Sequence, residues 1–150
     1  MLFQNLFAVT TILATAFSSP TNMDLLKRDD PKPPANSVCA LNEIPATNNW
    51  AIYAPLDAVG LDGKCGNHYL NNLRGRCGVI TTWKCWHVNK DGKKIDSHDE
   101  PKNVEGAVMT FYTSVFCSSD DVRAAMGASA KNDDKPDKCS EPAKWMLPPS

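Results

Sequence analysis

This sequence has almost no net charge and no long hydrophobic run. The chain of 150 residues has a formal charge of −1 at pH 7, which excludes a strong electrostatic attraction to nucleic acid or anionic lipid. Its longest apolar run, residues 6–17, is about a dozen residues, whereas a transmembrane helix needs about 20. We therefore expect a soluble protein with no nucleic-acid partner and no stable membrane insertion.

The sequence also lacks the motifs of common catalytic and ion-binding sites. It contains no Ser-centred nucleophile elbow, no phosphate-binding glycine loop, no EF-hand loop and no Asn-x-Ser/Thr acceptor for N-glycosylation. The candidates for acid–base catalysis are few and follow no recognisable spacing: His68, His87, His98, Glu100 and Glu105. We therefore predict that the protein is not an enzyme and needs no cofactor.

What is present begins with an apolar segment of the kind that directs secretion. Residues 6–17 carry no charge and end in small residues around Ala14 and Ala16, which is typical of a cleavable leader. The one departure from that pattern is that no Lys or Arg precedes the run. We assign residues 1–16 to a signal peptide and expect an extracellular protein.

A dibasic pair, Lys27-Arg28, follows the leader and precedes every cysteine. In an exported chain, the stretch "LLKR" resembles the site at which the kexin-type protease of the fungal secretory pathway removes pro-segments; an uncut charged linker is the alternative. The prediction is a pro-segment at residues 17–28 and a mature start at Asp29. Residues 29–38 are rich in proline and charge and cannot bury enough apolar surface to order themselves, so we predict a flexible tail there.

Residues 39–150 hold all of the cysteines and the core-forming residues, and their number suits one small domain. An even number of cysteines in an oxidising compartment indicates a disulfide framework, here of three bridges. A zinc site could instead be drawn from Cys65-x-x-His68 and Cys85-x-His87, but exported thiols are expected to be oxidised, and we predict no metal. The bridging residues would be Cys39, Cys65, Cys77, Cys85, Cys117 and Cys139.

Hydrophobic periodicity predicts two helices and three or four strands. Residues 48–56 and 79–89 are rich in β-branched and aromatic residues, and residues 106–117 alternate with apolar groups on both faces, as in a central strand. A four-residue repeat from Cys65 to Cys77 predicts the first helix, and Ser118 with two following aspartates begins the second. Residues 93–103 are predicted to be a loop, and residues 139–150 can supply only a short strand or a tryptophan-anchored extension.

This order, β-α-β-β-α-(β), is the plan of a ferredoxin-like α+β sandwich, with two helices on one face of an antiparallel sheet. That topology places the end of the first helix and the end of the third strand at one pole, which favours a bridge between Cys77 and Cys117. The opposite pole favours Cys65 with Cys139, and Cys39 is left to pair with Cys85. Six cysteines allow 15 pairings, so the sequence alone leaves the connectivity open.

Three stretches resemble known secreted proteins: "TTWKCWHVNKDG", "CGNHYLNNLRGRC" and "FCSSDDVRAA". They are similar to the cysteine-bearing strand and helices of the virus-encoded killer toxins of smut fungi and of effectors that share their fold. The resemblance spans residues 65–125, with a different number and order of cysteines. Together with the leader and the dibasic pair, it implies a small secreted effector of a plant-associated fungus.

The function predicted from these features is that of a virulence or avirulence factor that binds a host plant molecule, either a protein or a cell-wall component, as a monomer in the host apoplast. Entry into host cells is left open. Exposed aromatic side chains anchor contacts of this kind, and the candidates are Trp83, Trp86 and Trp145, although at least one of Trp83 and Trp86 must lie in the core. Two alternatives are a killer-toxin-like antimicrobial protein and a small secreted hydrolase.

Overall fold

A six-stranded mixed sheet with helices on one face forms the framework of the protein. The computed structural model describes residues 32–61 and 63–148; the predicted signal peptide, pro-segment and Lys27-Arg28 site lie outside them. The strands are β1 (Val38–Ile44), β2 (Thr47–Pro55), β3 (Thr81–Val88), β4 (Lys94–Ile95), β5 (Gly106–Ser114) and β6 (Cys139–Ser140). The helices are α1 (Leu56–Val59), α2 (Asn67–Cys77) and α3 (Ser119–Ser129), and two 3₁₀ turns lie at Pro101–Asn103 and Lys144–Met146.

Strand β1 is the main element that periodicity missed. Its sequence, VCALNEI, contains Asn and Glu and follows a proline-rich segment, so little in its composition predicts a strand. It becomes a strand because β2 pairs with its whole length, from Val38 opposite Tyr53 to Ile44 opposite Thr47. The predicted tail at residues 29–38 is therefore anchored at its end, where the backbone N–H of Ser37 donates to Asp134 Oδ2 at 2.7 Å.

The strand order is β4-β3-β5-β2-β1-β6. Strands β2 and β3 both run antiparallel to β5, which lies between them, and α2 connects them as in a split β-α-β unit. The α+β class is confirmed. The ferredoxin-like arrangement is not, because β1 separates β2 from β6, and the expected antiparallel sheet is mixed, since β6 pairs with β1 in parallel.

Each face of the sheet carries its own hydrophobic core. The helix-side core joins the sheet to α2 and α3, and its largest members are Trp50, Ile52, Met109, Phe111, Tyr69, Leu73, Val122 and Met126. The outer core is covered by the carboxyl-terminal segment, residues 142–148, and includes Tyr53, Trp86, Val88, Val108 and Met146. Both faces of β5 are buried, as its alternation predicted.

Local signals explain where the two long helices begin. The Ser118 hydroxyl accepts from the Asp121 N–H while the Asp121 carboxylate accepts from the Ser118 N–H, a complete capping box for α3. Helix α2 follows Gly66, whose φ is 64°. A Cβ there would collide with the side chains of Met109 and Trp83, so this position requires glycine for its space as well as for its backbone conformation.

Three disulfides link Cys39 to Cys139, Cys65 to Cys85, and Cys77 to Cys117. The bridge expected between Cys77 and Cys117 is confirmed. The pairings Cys65–Cys139 and Cys39–Cys85 are wrong. The predicted topology says at which end of the sheet a cysteine lies, but it does not say which strand that cysteine is near. Cys65, just before α2, lies next to Cys85 of β3, whereas β6 lies at the other edge of the sheet and brings Cys139 opposite Cys39.

Candidate functional site

The three tryptophans proposed as contact residues are all packed against other groups. Trp86 is buried in the outer core. Trp83 is half-buried and packs on Phe111 from the helix side, with ring centroids 5.7 Å apart. Trp145 is half-buried and meets the Tyr53 ring edge-on at 5.1 Å. Their main role in this fold is packing, and a contact with a partner stays a prediction.

The three histidines, which are scattered in the sequence, converge near the Cys65–Cys85 bridge. His68 and His87 line one small depression beside Cys65, and His87 interacts electrostatically with His98 and Asp96. Burial is the largest influence on His87 and lowers the pKa of its imidazole, with Asp96 opposing the change. Of the proposed acids, the Glu100 carboxylate accepts from Asn103 Nδ2 at 2.7 Å, and Glu105 lies near Tyr53, whose pKa is raised mainly by burial and further by the Glu105 charge.

The lowered pKa of His87 makes stability depend on pH. Above pH 6.5, the ordinary pKa of histidine, His87 is largely neutral in both the folded and the unfolded protein. Below pH 6.5 the unfolded chain takes up the proton more readily than the folded protein. The free energy of unfolding therefore decreases as the pH falls from 6.5 through the lower pKa of the folded state. Urea unfolding at pH 7.5 and pH 5.0 should therefore show a smaller loss of stability for His87→Gln than for the wild type. Equal losses in the His87→Gln variant and the wild type would contradict this assignment.

Among the described residues, the most exposed large apolar side chains lie at the pole where α2 and β5 end. Phe116 is 91% exposed, Val79 77% and Val115 52%. The Cys77–Cys117 bridge holds them together, because Val79 comes two residues after Cys77, and Phe116 comes immediately before Cys117. We call Val79, Val115 and Phe116 the apolar pole.

The apolar pole exists because β5 ends earlier than its sequence predicts. Residues 106–117 alternate as one strand, and that pattern placed Val115 and Phe116 in the sheet. However, the last residue of β5, Ser114, is opposite Thr47, the first residue of β2. On its other side, the last pair of β5 joins Tyr112 to Thr81, the first residue of β3. Residues 115 and 116 thus lie beyond both neighbouring strands, and no sequence signal marks that limit.

Charged groups of both signs surround the apolar pole. Arg74 and Arg76 are exposed in the last turn of α2, which contributes the positive groups that a helix carboxyl terminus favours. Asp121 lies in the first turn of α3 at the same pole; hydrogen bonds from Ser118 are the main reason that its pKa is lowered, and Arg76 adds to that effect. An apolar centre within a rim of mixed charge is the composition of a protein–protein contact surface, whereas a surface that binds anionic lipid is dominated by basic groups.

Among residues 32–61 and 63–148, no group of three or more His, Cys, Asp or Glu side chains is arranged to hold a metal ion. No helix in the described part of the chain is long and apolar enough to cross a membrane. Comparison with protein-family models, with curated proteins and with solved structures gives no match. The apolar pole is therefore a candidate on its geometry alone.

Proposed function

We propose that the protein is a secreted fungal effector that acts by binding a host plant protein through its apolar pole. The observation that carries this proposal is the 91% exposure of Phe116 beside Val79 and Val115. Single exposed apolar residues are common on protein surfaces, whereas adjacent large ones mark interaction sites. Aromatic side chains are also frequent among the residues that dominate binding energy.

The covalent framework supports this reading. Three disulfides are consistent with an extracellular protein, and the leader and the Lys27-Arg28 pair supply the route and the processing site. The Cys77–Cys117 bridge restrains the loops that carry the apolar pole, so these loops lose little conformational freedom when a partner binds. The likeness to killer toxins and effectors of their fold is part of this proposal and supplies its antimicrobial alternative.

A leaf infiltration assay with one surface variant tests the proposal. Phe116→Ser should raise the protein dose that produces the leaf response by about 30-fold or more, which corresponds to the roughly 2 kcal/mol of a binding hot spot. Its thermal stability should stay within the usual small range for surface substitutions, because the side chain makes little contact with the core.

Leu61→Ser is the matched control, since Leu61 is 39% exposed and lies in the loop between α1 and α2. It should retain the wild-type dose response. A Phe116→Ser protein that is folded and fully active in leaves would overturn the role of the apolar pole. Growth inhibition of other fungi without any leaf response would replace the effector function with the antimicrobial one.

A further inference from the structure

The carboxyl-terminal segment covers only part of the outer face of the sheet. Met146 is fully buried against that face, and Trp145 packs on Tyr53. Beside this segment lies a groove of about 170 Å³, with side walls formed by Pro142, Leu147 and Pro148. Its floor carries polar side chains from four strands: Asn42, Asn49, Thr82, Thr110 and Tyr112.

A second depression of about 320 Å³ continues the groove toward the β4 edge. Lys84 and Pro148 line both depressions, and Trp86 and Lys94 line the second. We call the two together the outer groove. Among the described residues that line it, two are lysines and none is acidic. The outer groove is thus an elongated, hydrogen-bonding surface with two positive charges.

The backbone at Thr82 provides an independent sign of a functional surface. Thr82 has a φ of 52°, a left-handed conformation that is unfavourable for a β-branched residue. It lies in a bulge of β3, where the pairing with β5 shifts between Thr81 and Lys84. Thr82 is exposed, so burial in a core does not explain the strain, and outliers of this kind cluster at ligand-binding sites.

The chemistry of the outer groove decides what it can bind. Strands β2 and β5 lie at the centre of the floor and have a paired strand on both sides, so their backbone groups are not available to add a peptide strand. Recognition across this part of the floor uses the side-chain amides and hydroxyls, which match the hydroxyl groups of a sugar. The lysines add a preference for negative charge.

We propose that the outer groove binds a linear oligosaccharide that carries carboxylate groups, such as a chain of uronic acid residues. The amides of Asn42 and Asn49 and the hydroxyls of the floor hydrogen-bond to the sugar rings. Lys84 and Lys94 pair with carboxylates along the chain. This site lies on the outer face of the sheet and does not depend on the function proposed for the apolar pole.

Isothermal titration of the secreted protein with an oligogalacturonate of about ten residues tests the inference, with cellohexaose as the neutral probe and an oligoglutamate peptide as the acidic non-sugar probe. We expect oligogalacturonate to bind and both other probes to bind at least tenfold more weakly. Raising NaCl from about 0.05 M to 0.5 M should weaken the binding, since charge pairs at an exposed surface are screened.

The lysine variants locate the site. Lys84→Gln should weaken oligogalacturonate binding by about tenfold, because a hydrogen bond to a charged group is lost. Lys102→Gln, in the exposed turn at Pro101–Asn103, should leave it unchanged. Asn49→Ala, which keeps both lysines, should also weaken it. No binding of oligogalacturonate, equal binding of cellohexaose or oligoglutamate, or an effect of Lys102→Gln as large as that of Lys84→Gln would each overturn the proposal.

Discussion

Replacement of Cys39 or Cys139 with alanine is expected to lower the free energy of unfolding by about 4 to 5 kcal/mol, more than the loss of either other bridge. Chain entropy is the reason, because the stabilisation grows with the length of the closed loop. The Cys39–Cys139 pair is separated by 100 residues, against 40 for Cys77–Cys117 and 20 for Cys65–Cys85. The corresponding estimates are about 4.7, 3.9 and 3.3 kcal/mol.

The fold adds a second reason for a large effect. Strand β6 is only two residues long and pairs with β1 at Cys39 and Ala40, so the bridge is the main attachment of β6 to the sheet. Urea denaturation of the purified variants measures the loss. Thiol titration of each single variant should find one reactive thiol, on the remaining partner.

A double-mutant cycle distinguishes the Cys39–Cys139 bridge from the Cys65–Cys139 bridge that the predicted topology favoured. Cys39→Ala and Cys139→Ala combined should be little worse than either alone, because they remove the same interaction. The control is the combination of Cys65→Ala with Cys139→Ala, which should lose the sum of the two single effects. Additive losses at Cys39 and Cys139, with non-additive losses at Cys65 and Cys139, would contradict the observed connectivity.

Trp50→Ala is expected to cost about 3 to 5 kcal/mol, the range for truncating a large aromatic residue in a core. Trp50 is fully buried on the helix side and stacks on Phe111 with ring centroids 6.4 Å apart. Its Nε1 donates to the Thr113 hydroxyl at 2.9 Å. Truncation therefore removes apolar burial and a hydrogen bond together, and thermal or urea unfolding should show a large loss.

Two comparisons separate these contributions. Trp50→Phe keeps most of the ring and should cost about 1 to 3 kcal/mol, part of which is the lost hydrogen bond to the Thr113 hydroxyl, which still donates to the Ser114 carbonyl oxygen. Thr113→Val should cost less in the Trp50→Phe background than in the wild type, because the hydrogen bond between the two side chains is then already absent. A Trp50→Ala protein within 1 kcal/mol of the wild type would show that Trp50 is not the central packing residue described here.

Much of the secondary structure could be predicted from the sequence. The alternation in β5, the aromatic strand β3 and the serine cap of α3 are properties of neighbouring residues, and they produced the correct elements. Strand β1 was missed because its pairing with β2 compensates for its weak propensity. Of the candidate sites, the cysteines could be listed from the sequence. The apolar pole could not be predicted, because the alternating pattern of residues 106–117 placed Phe116 in a strand.

The sequence by itself determined the α+β class, the two long helices and the presence of six bridging cysteines, because helix caps, residue periodicity and thiol number act over short distances along the chain. Only the tertiary structure decided the strand order, two of the three disulfide partners and the surfaces left open to a ligand. These depend on which strand lies beside which and on where a neighbouring strand ends, as at Ser114 opposite Thr47. Such relations join residues 20 to 100 positions apart, as in the bridges from Cys65 to Cys85 and from Cys39 to Cys139, and no local pattern encodes them.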